Sequence, residues 1–160
     1  MALVDLGATM PTAAVSTRPG DAPLTDASRS GTVTAVRGSV VDVRFKHHLP
    51  PIHSMLRAGK AGQIVLEVLA HQDAHTVRGI ALTPTQGLAR GMAVQDSGGP
   101  LLAPVGPGIL SRMFDVFGQT IDGEAPLADA QWRSVHRAPP PLARRSSQSE
   151  VFETGIKVID

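Results

Sequence analysis

Short apolar runs separated by turn-forming residues dominate the chain between positions 31 and 96. In residues 39–45, Val41, Val43 and Phe45 share one face of an alternating pattern, which is typical of a half-buried strand. The same kind of pattern predicts further strands at residues 32–36, 63–71, 75–82 and 92–95. Five or six short strands are too few for two sheets, but they suffice to close one small β-barrel that leaves no open edge.

The sequence also predicts the turns and loops that connect these strands. Arg37-Gly38 and Gln72-Asp73 are predicted turns, and Gly38 is expected to adopt a positive φ angle, which only glycine adopts without strain. Residues 47–52 are predicted to form a loop, since two prolines would remove hydrogen-bond donors from a central strand.

After Pro100 the pattern changes. Residues 101–105 predict a short strand, and Gly106-Pro107-Gly108 breaks it. Residues 109–117 carry apolar side chains at helical spacing, which predicts a helix ended by Gly118. Residues 132–137 are expected to be extended. Since an apolar pattern is cut off in residues 153–160, we expect the chain to stop inside a domain.

The composition excludes several functional classes of protein. A net charge of +1 provides no field that would attract nucleic acid or an anionic membrane, and 3% aromatic residues leave too few rings for base stacking. The absence of cysteine excludes disulfides and thiolate metal sites. Residues 1–29 lack periodicity and are predicted to be a disordered tail, without the pattern of a secretory signal.

No motif of this chain predicts a nucleotide site. Gly106-Pro107-Gly108 resembles the start of a dinucleotide fingerprint, but Ser111 stands where the third glycine is needed and Pro107 lacks a backbone donor. Gly59-Lys60 is followed by alanine, and no Gly-x-x-x-x-Gly-Lys-Ser/Thr phosphate loop occurs.

Metal and acid–base sites are not predicted either. His71 and His75 are four residues apart, as metal ligands on a helix would be, but they flank a predicted hairpin turn and are interpreted as solvated turn residues. The scattered carboxylates are interpreted as turn or rim residues rather than as an acid–base pair: Asp42, Glu67, Asp96, Asp115 and Asp122. The chain is therefore expected to contain no catalytic, nucleotide-binding or metal-binding residue.

A series of short motifs, in order along residues 31–160, resembles a known family. The motifs are Gly31-x-Val33-x-x-Val36-x-Gly38-x-Val40-Val41-Asp42-Val43, Leu49-Pro50-Pro51-Ile52, Val65-Leu66-Glu67-Val68, Gly87-Leu88-x-Arg90-Gly91, Val135-His136-Arg137-Ala138-Pro139 and Glu153-Thr154-Gly155-Ile156-Lys157-Val158-Ile159-Asp160. Together they resemble the N-terminal part of the catalytic β subunit of F-type ATP synthases. Asp115 and Gln119-Thr120 differ from the residues that the family usually has at these positions. They suggest a divergent branch of the family, such as a second copy of the synthase in a bacterium.

The resemblance implies a mainly β fold. A small closed barrel, the crown domain of rotary ATPases, is expected at residues 30–97. The start of an α/β nucleotide-binding domain is expected at residues 98–160, cut before the phosphate loop. The catalytic and nucleotide-binding residues of the family are expected after Asp160, so that this chain itself would bind no cofactor, whereas the full-length subunit uses ATP, ADP and Mg²⁺.

The resemblance also implies partners. The barrel would associate with α subunits in an alternating hexameric ring around a central shaft subunit, at the cytoplasmic face of a bacterial inner membrane and with only indirect membrane contact. Two alternatives stay open: a stand-alone crown-type interaction module without catalysis, and a small oligonucleotide-binding barrel. The near-zero net charge and the few aromatic residues argue against the second.

Overall fold

The computed structural model of the chain describes residues 27–127 and 130–159. Within them, eight strands are arranged as one barrel and one two-stranded sheet. The strands are β1 (Ser30–Arg37), β2 (Val40–Phe45), β3 (Ser54–Ala58), β4 (Ile64–His71), β5 (Thr76–Ala81), β6 (Ala93–Pro100), β7 (Leu102–Val105) and β8 (Gln131–Ser134). Of the predicted N-terminal tail, residues 1–26 lie outside the described residues, and Ala27–Arg29 form a 3-10 turn.

The barrel closes in the order β1-β2-β5-β4-β3-β6, with antiparallel neighbours throughout. Closure satisfies the hydrogen bonds of all six strands and leaves no strand edge unpaired. The interior is filled by aliphatic side chains and one ring, from Val33, Val41, Val43, Phe45, Leu56, Ala58, Ile64, Leu66, Val68, Val77 and Val94. The predicted mainly β fold with a small closed barrel is confirmed.

The predicted strands correspond to five of the six barrel strands. The sixth, β3, carries the sequence SMLRA and was not predicted, since it contains no β-branched residue and follows a proline-rich loop. Its position between β4 and β6 is decided by long-range pairing, with Leu56 opposite both Leu66 and Asp96. The predicted loop at residues 47–52 is confirmed.

Two glycines meet requirements that no other residue satisfies well. Gly38 has φ 62° in the turn between β1 and β2, as predicted. Gly79 on β5 lies so close to β4 that a Cβ atom would stand 2.8 Å from the backbone oxygen of Glu67. The barrel wall therefore depends on the absence of a side chain at Gly79.

The predicted helix at residues 109–117 is wrong. The chain forms a 3-10 turn at Pro107–Ile109, after which Leu110 is extended and Ser111 has φ 59°. Asp115 Oδ1 then accepts hydrogen bonds from the backbone N–H groups of Phe117 and Gln119, and these donors are thereby lost to any helix. Side-chain capture of backbone donors thus outweighs a short helical pattern of apolar residues.

The strands β7 and β8 pair antiparallel, from Leu102 opposite Ser134 to Val105 opposite Gln131. β7 follows β6 after a single residue, Leu101. The backbone N–H of Val135 also donates to the Leu101 oxygen, which fixes the exit of β8 beside the end of the barrel. The residues immediately after β8 are therefore held near the barrel wall.

Candidate functional site

The outer face of the barrel carries an ion pair between adjacent strands. Asp42 on β2 lies directly opposite Arg78 on β5. Arg78 donates from Nε to Oδ1 at 2.8 Å and from Nη2 to Oδ2 at 3.1 Å, and Arg37 adds a third bond to Oδ2 at 3.2 Å. The hydrogen bonds of Arg78 lower the pKa of the Asp42 carboxyl, against the opposite effect of burial. This pair joins strands and has no free acid or base to offer to a substrate.

A second carboxylate, Asp96, is buried in the middle of β6. Its Oδ1 accepts the backbone N–H of Gly98 at 2.9 Å, and its Oδ2 lies 3.6 Å from Nε2 of His48. Beside it, Ser97 donates its hydroxyl to the Met55 backbone oxygen at 2.7 Å. These contacts tie β6 to β3 and to the loop that precedes β3.

A third carboxylate, Glu67 on β4, contacts two histidines from distant parts of the chain. His53 Nδ1 lies 3.0 Å from Glu67 Oε1, and His136 Nε2 lies 2.7 Å from the same oxygen. The two imidazole rings are stacked, with centroids 3.7 Å apart and an interplanar angle of 15°. The His53 contact is a hydrogen bond in which the ring nitrogen donates, because a carboxylate only accepts. The His136 contact is an ion-pair distance. Glu67, His53 and His136 are named the His–Glu cluster below.

Backbone contacts position both histidines of this cluster. His53 has φ 70°, and its N–H donates to the Val68 oxygen at 2.7 Å, which aligns the loop before β3 with β4. His136 follows β8, where its N–H and its carbonyl oxygen both bond the Ser134 hydroxyl. The cluster therefore connects the barrel to the segment after β8.

The sequence interpretation of the carboxylates as turn or rim residues is wrong for three of them. Asp42, Glu67 and Asp96 lie on strands and are buried, because each has a basic or imidazole partner brought to it by the barrel. Asp115 and Asp122 do lie in turns. No sequence signal identified these partners, since all but Arg37 are distant along the chain from their carboxylate.

Asp122 organises the loop between β7 and β8. Arg112 donates to it from Nε at 2.6 Å and from Nη2 at 3.1 Å, and the backbone N–H groups of Met113 and Glu124 donate as well. These hydrogen bonds, those of Arg112 first, hold the pKa of the Asp122 carboxyl well below its usual range. The arrangement replaces a helix as the means of ordering this loop.

The sequence motifs that resembled nucleotide sites lie in plain turns. Gly106 has φ 118° and precedes the 3-10 turn. A cavity of about 350 Å³ beside this turn is lined, among the described residues, by uncharged side chains from Val105–Ile109, Leu127, Ala130 and Gln131. Gly59 and Lys60 lie in the connection between β3 and β4. The cavity therefore offers no charged partner for a phosphate among the described residues, and Lys60 stands in a turn without the glycine-rich loop that a phosphate site needs.

His71 and His75 flank the turn between β4 and β5 as predicted. His71 Nε2 contacts the Pro50 backbone oxygen at 2.8 Å, and the backbone N–H of His75 bonds Asp73 Oδ1 at 2.7 Å. The histidines that the structure brings together are His53 and His136, which the sequence interpretation did not single out.

Exposed apolar side chains are concentrated after the barrel. Ile52 and Leu69 are the exposed large apolar residues within the described part of the barrel. The remainder are Leu110, Met113, Val116, Ile121, Val135, Leu142, Val151, Phe152, Ile156, Val158 and Ile159. So large an apolar surface is typical of a segment that packs against further protein. In the described part of the chain, no helix has the length and apolarity needed to cross a membrane.

The comparison with known proteins identifies the barrel. Residues 33–98 match the model of the ATP synthase alpha/beta family, β-barrel domain. A protein of Albidiferax ferrireducens named ATP synthase subunit beta 2 is 76% identical over 130 residues, which are 81% of this chain and 25% of that protein.

Two further proteins carry the same name. The Polaromonas naphthalenivorans protein is 72% identical over 135 residues, 84% of this chain and 28% of its own length. The Nitrosospira multiformis protein is 67% identical over 130 residues, 81% of this chain and 28% of its own length. The chain thus spans about a quarter of the length of these curated relatives. It belongs to the ATP synthase alpha/beta family, with similarity to β subunits, and its closed six-stranded barrel is the N-terminal barrel domain of that family.

Proposed function

We propose that this chain is the N-terminal part of the catalytic β subunit of an F-type ATP synthase, and that its barrel joins β subunits to α subunits in an alternating ring around a central shaft. The observation that carries the proposal is the 76% identity to a subunit beta 2 over 130 residues, together with the matching barrel domain. The name of that relative also supports a second bacterial copy of the synthase.

In this proposal the chain has three parts. Residues 1–29 form a tail, residues 30–97 the crown barrel, with β6 continuing to Pro100, and residues 98–160 the start of the nucleotide-binding domain. The exposed apolar residues after the barrel support the last assignment, because they would pack against the rest of that domain. ATP, ADP and Mg²⁺ would be bound by residues that follow position 160 in the subunit.

The proposed location is the cytoplasmic face of a bacterial inner membrane, as a peripheral part of the complex. Rotation of the shaft, driven by ion flow, would supply the energy for ATP synthesis. The role of this chain would be structural: a closed barrel is rigid, and neighbouring barrels would hold the ring together while the nucleotide domains change shape.

Co-expression with the matching α subunit tests the proposal. We expect the chain to co-purify with α through an affinity tag placed on α, and to elute with it in size-exclusion chromatography. A chain that stays monomeric with α present would contradict the proposal. The reading frame after position 160 separates the catalytic subunit from a stand-alone barrel module: a Gly-x-x-x-x-Gly-Lys-Thr sequence within about 20 codons supports the catalytic subunit.

A further inference from the structure

The His–Glu cluster has the donor set of a transition-metal site. Two imidazole nitrogens and one carboxylate oxygen are the three protein ligands of several zinc sites that keep a fourth position for water. In this chain those atoms belong to His53, His136 and Glu67, and all of them lie within 4.8 Å of one another. The cluster is the one group of this kind among the described residues.

We propose that His53, Glu67 and His136 bind a divalent transition-metal ion, with Zn²⁺ as the representative ion. The two nitrogens already lie 3.0 and 2.7 Å from one carboxylate oxygen. Ligands about 2.0–2.1 Å from a tetrahedral zinc ion stand roughly 3.3 Å from each other. The ion fits between the three atoms once the nitrogens move a few tenths of an ångström away from the carboxylate oxygen. The stacked imidazole rings must also turn, because each nitrogen binds an ion through a lone pair in its ring plane.

Charge and protonation also favour a cation. With neutral imidazoles the cluster carries the single negative charge of Glu67, whose side chain is only 12% exposed. The ion would lie between Glu67 and the two ring nitrogens, which must carry no proton when they bind it. Each neutral ring then carries its proton on its other nitrogen, so that a lone pair is available to the ion. The histidine side chains are 43% and 38% exposed, which leaves a path for the ion and room for a water ligand.

The site would connect the barrel to the segment that follows β8. His53 and Glu67 belong to the barrel, whereas His136 follows β8. A bound ion would pin the segment after β8 to the outer face of β4. Because Arg137 is the next residue, trypsin cleavage after Arg137 reports directly on whether this segment is pinned.

Zinc titration of the 160-residue chain, in competition with a chromophoric chelator, tests the proposal. We expect one equivalent of Zn²⁺ to bind, and the affinity to fall at least about tenfold in His53→Gln and in His136→Gln, because removal of a ligand should cost no less than the 10–100-fold loss on removing an outer-shell partner. His75→Gln is the matched control, since His75 is exposed in the β4–β5 turn, and it should bind like the original chain. Absence of zinc binding, or full binding by the His53→Gln, His136→Gln double variant, would overturn the site.

Trypsin digestion is the second measurement, and it does not depend on the chelator. We expect Zn²⁺ to slow cleavage after Arg137 several-fold in the original chain, to leave the rate unchanged in His53→Gln, and to lose its effect on addition of EDTA. Mg²⁺ should not protect, since it prefers a six-coordinate oxygen shell. Circular dichroism of the metal-free variants verifies that they fold. Equal protection by Mg²⁺, or protection of folded His53→Gln by Zn²⁺, would contradict the proposal.

Discussion

Arg78 on β5 donates two parallel hydrogen bonds, of 2.8 and 3.1 Å, to the carboxylate of Asp42 on β2. The two residues are direct partners in the strand register. Arg37 reaches the same carboxylate from the turn side, but its side chain is 66% exposed. A bidentate guanidinium–carboxylate pair fixes the relative position of two strands more tightly than a single contact does. The pair is therefore expected to stabilise the barrel in a way that depends on the charge of Asp42.

Asp42→Asn is expected to lower the melting temperature at pH 7 by a few degrees Celsius, since the exposure of Arg78 limits what the pair contributes. The pKa of Asp42 is lowered in the folded chain. Its stabilisation is thus complete above the unfolded value of about 3.9 and is lost as the pH falls through the lower folded value. The melting temperatures of the two proteins, measured by circular dichroism, should converge as the pH falls below the folded pKa of Asp42.

Arg37→Met and Arg78→Met compare the two guanidinium groups. Arg78→Met should reproduce most of the effect of Asp42→Asn, whereas Arg37→Met should have a smaller effect because its single bond is largely exposed. A melting-temperature difference between Asp42→Asn and the original chain that stays constant from neutral to acidic pH would contradict this account.

Gly79→Ala is expected to destabilise the barrel by about 1–3 kcal/mol, the usual cost of overpacking. The new methyl group would stand 2.8 Å from the Glu67 backbone oxygen, which cannot retreat without disturbing the pairing of β4 with β5. Urea unfolding followed by circular dichroism gives the free energy of unfolding.

Gly99→Ala is the matched control, because a Cβ atom at Gly99 meets nothing within 4 Å. Its effect should stay within about 0.5 kcal/mol. Equal unfolding curves for Gly79→Ala and Gly99→Ala would show that the close approach of β5 to β4 is not a constraint on the sequence.

Leu69→Glu tests the proposed association with α subunits. Leu69 is 46% exposed on the outside of β4, beside residues that are buried. If an α barrel covers this side chain, a buried, unpaired carboxylate will reduce co-purification several-fold. Gln72→Glu adds the same charge in the exposed turn nearby and should leave co-purification unchanged. Identical yields of α with both variants would place the α contact elsewhere on the barrel.

The 160-residue chain is expected not to bind ATP specifically. A site of the phosphate-loop type needs a glycine-rich loop, a lysine and a magnesium-binding hydroxyl at set spacing, and the sequence contains no such motif. Titration with a fluorescent ATP analogue and Mg²⁺ should show no saturation below about 1 mM. A protein that contains the Gly-x-x-x-x-Gly-Lys-Thr loop is the positive control, and saturation of the 160-residue chain at micromolar concentrations would refute the expectation.

The sequence by itself determined most of the barrel. Alternation along β2 placed Val41, Val43 and Phe45 in the interior, and the turn at Gly38 was predicted with its positive φ angle. Such features are local: side-chain direction alternates with period two, and a left-handed turn residue is specified by the absence of a Cβ atom. Family resemblance over residues 31–160 supplied what local pattern could not, namely the expected function and the family of the barrel.

Only the tertiary structure decided the rest. The strand β3 is specified by its neighbours β4 and β6 rather than by its own composition, and the predicted helix at 109–117 gave way to the hydrogen bonds of Asp115. The His–Glu cluster depends on barrel closure and on the path of the chain after β8, which bring His53 and His136 to one oxygen of Glu67. Contacts between residues so distant in sequence leave no periodic signal, because the path of the folded chain between them determines whether they meet.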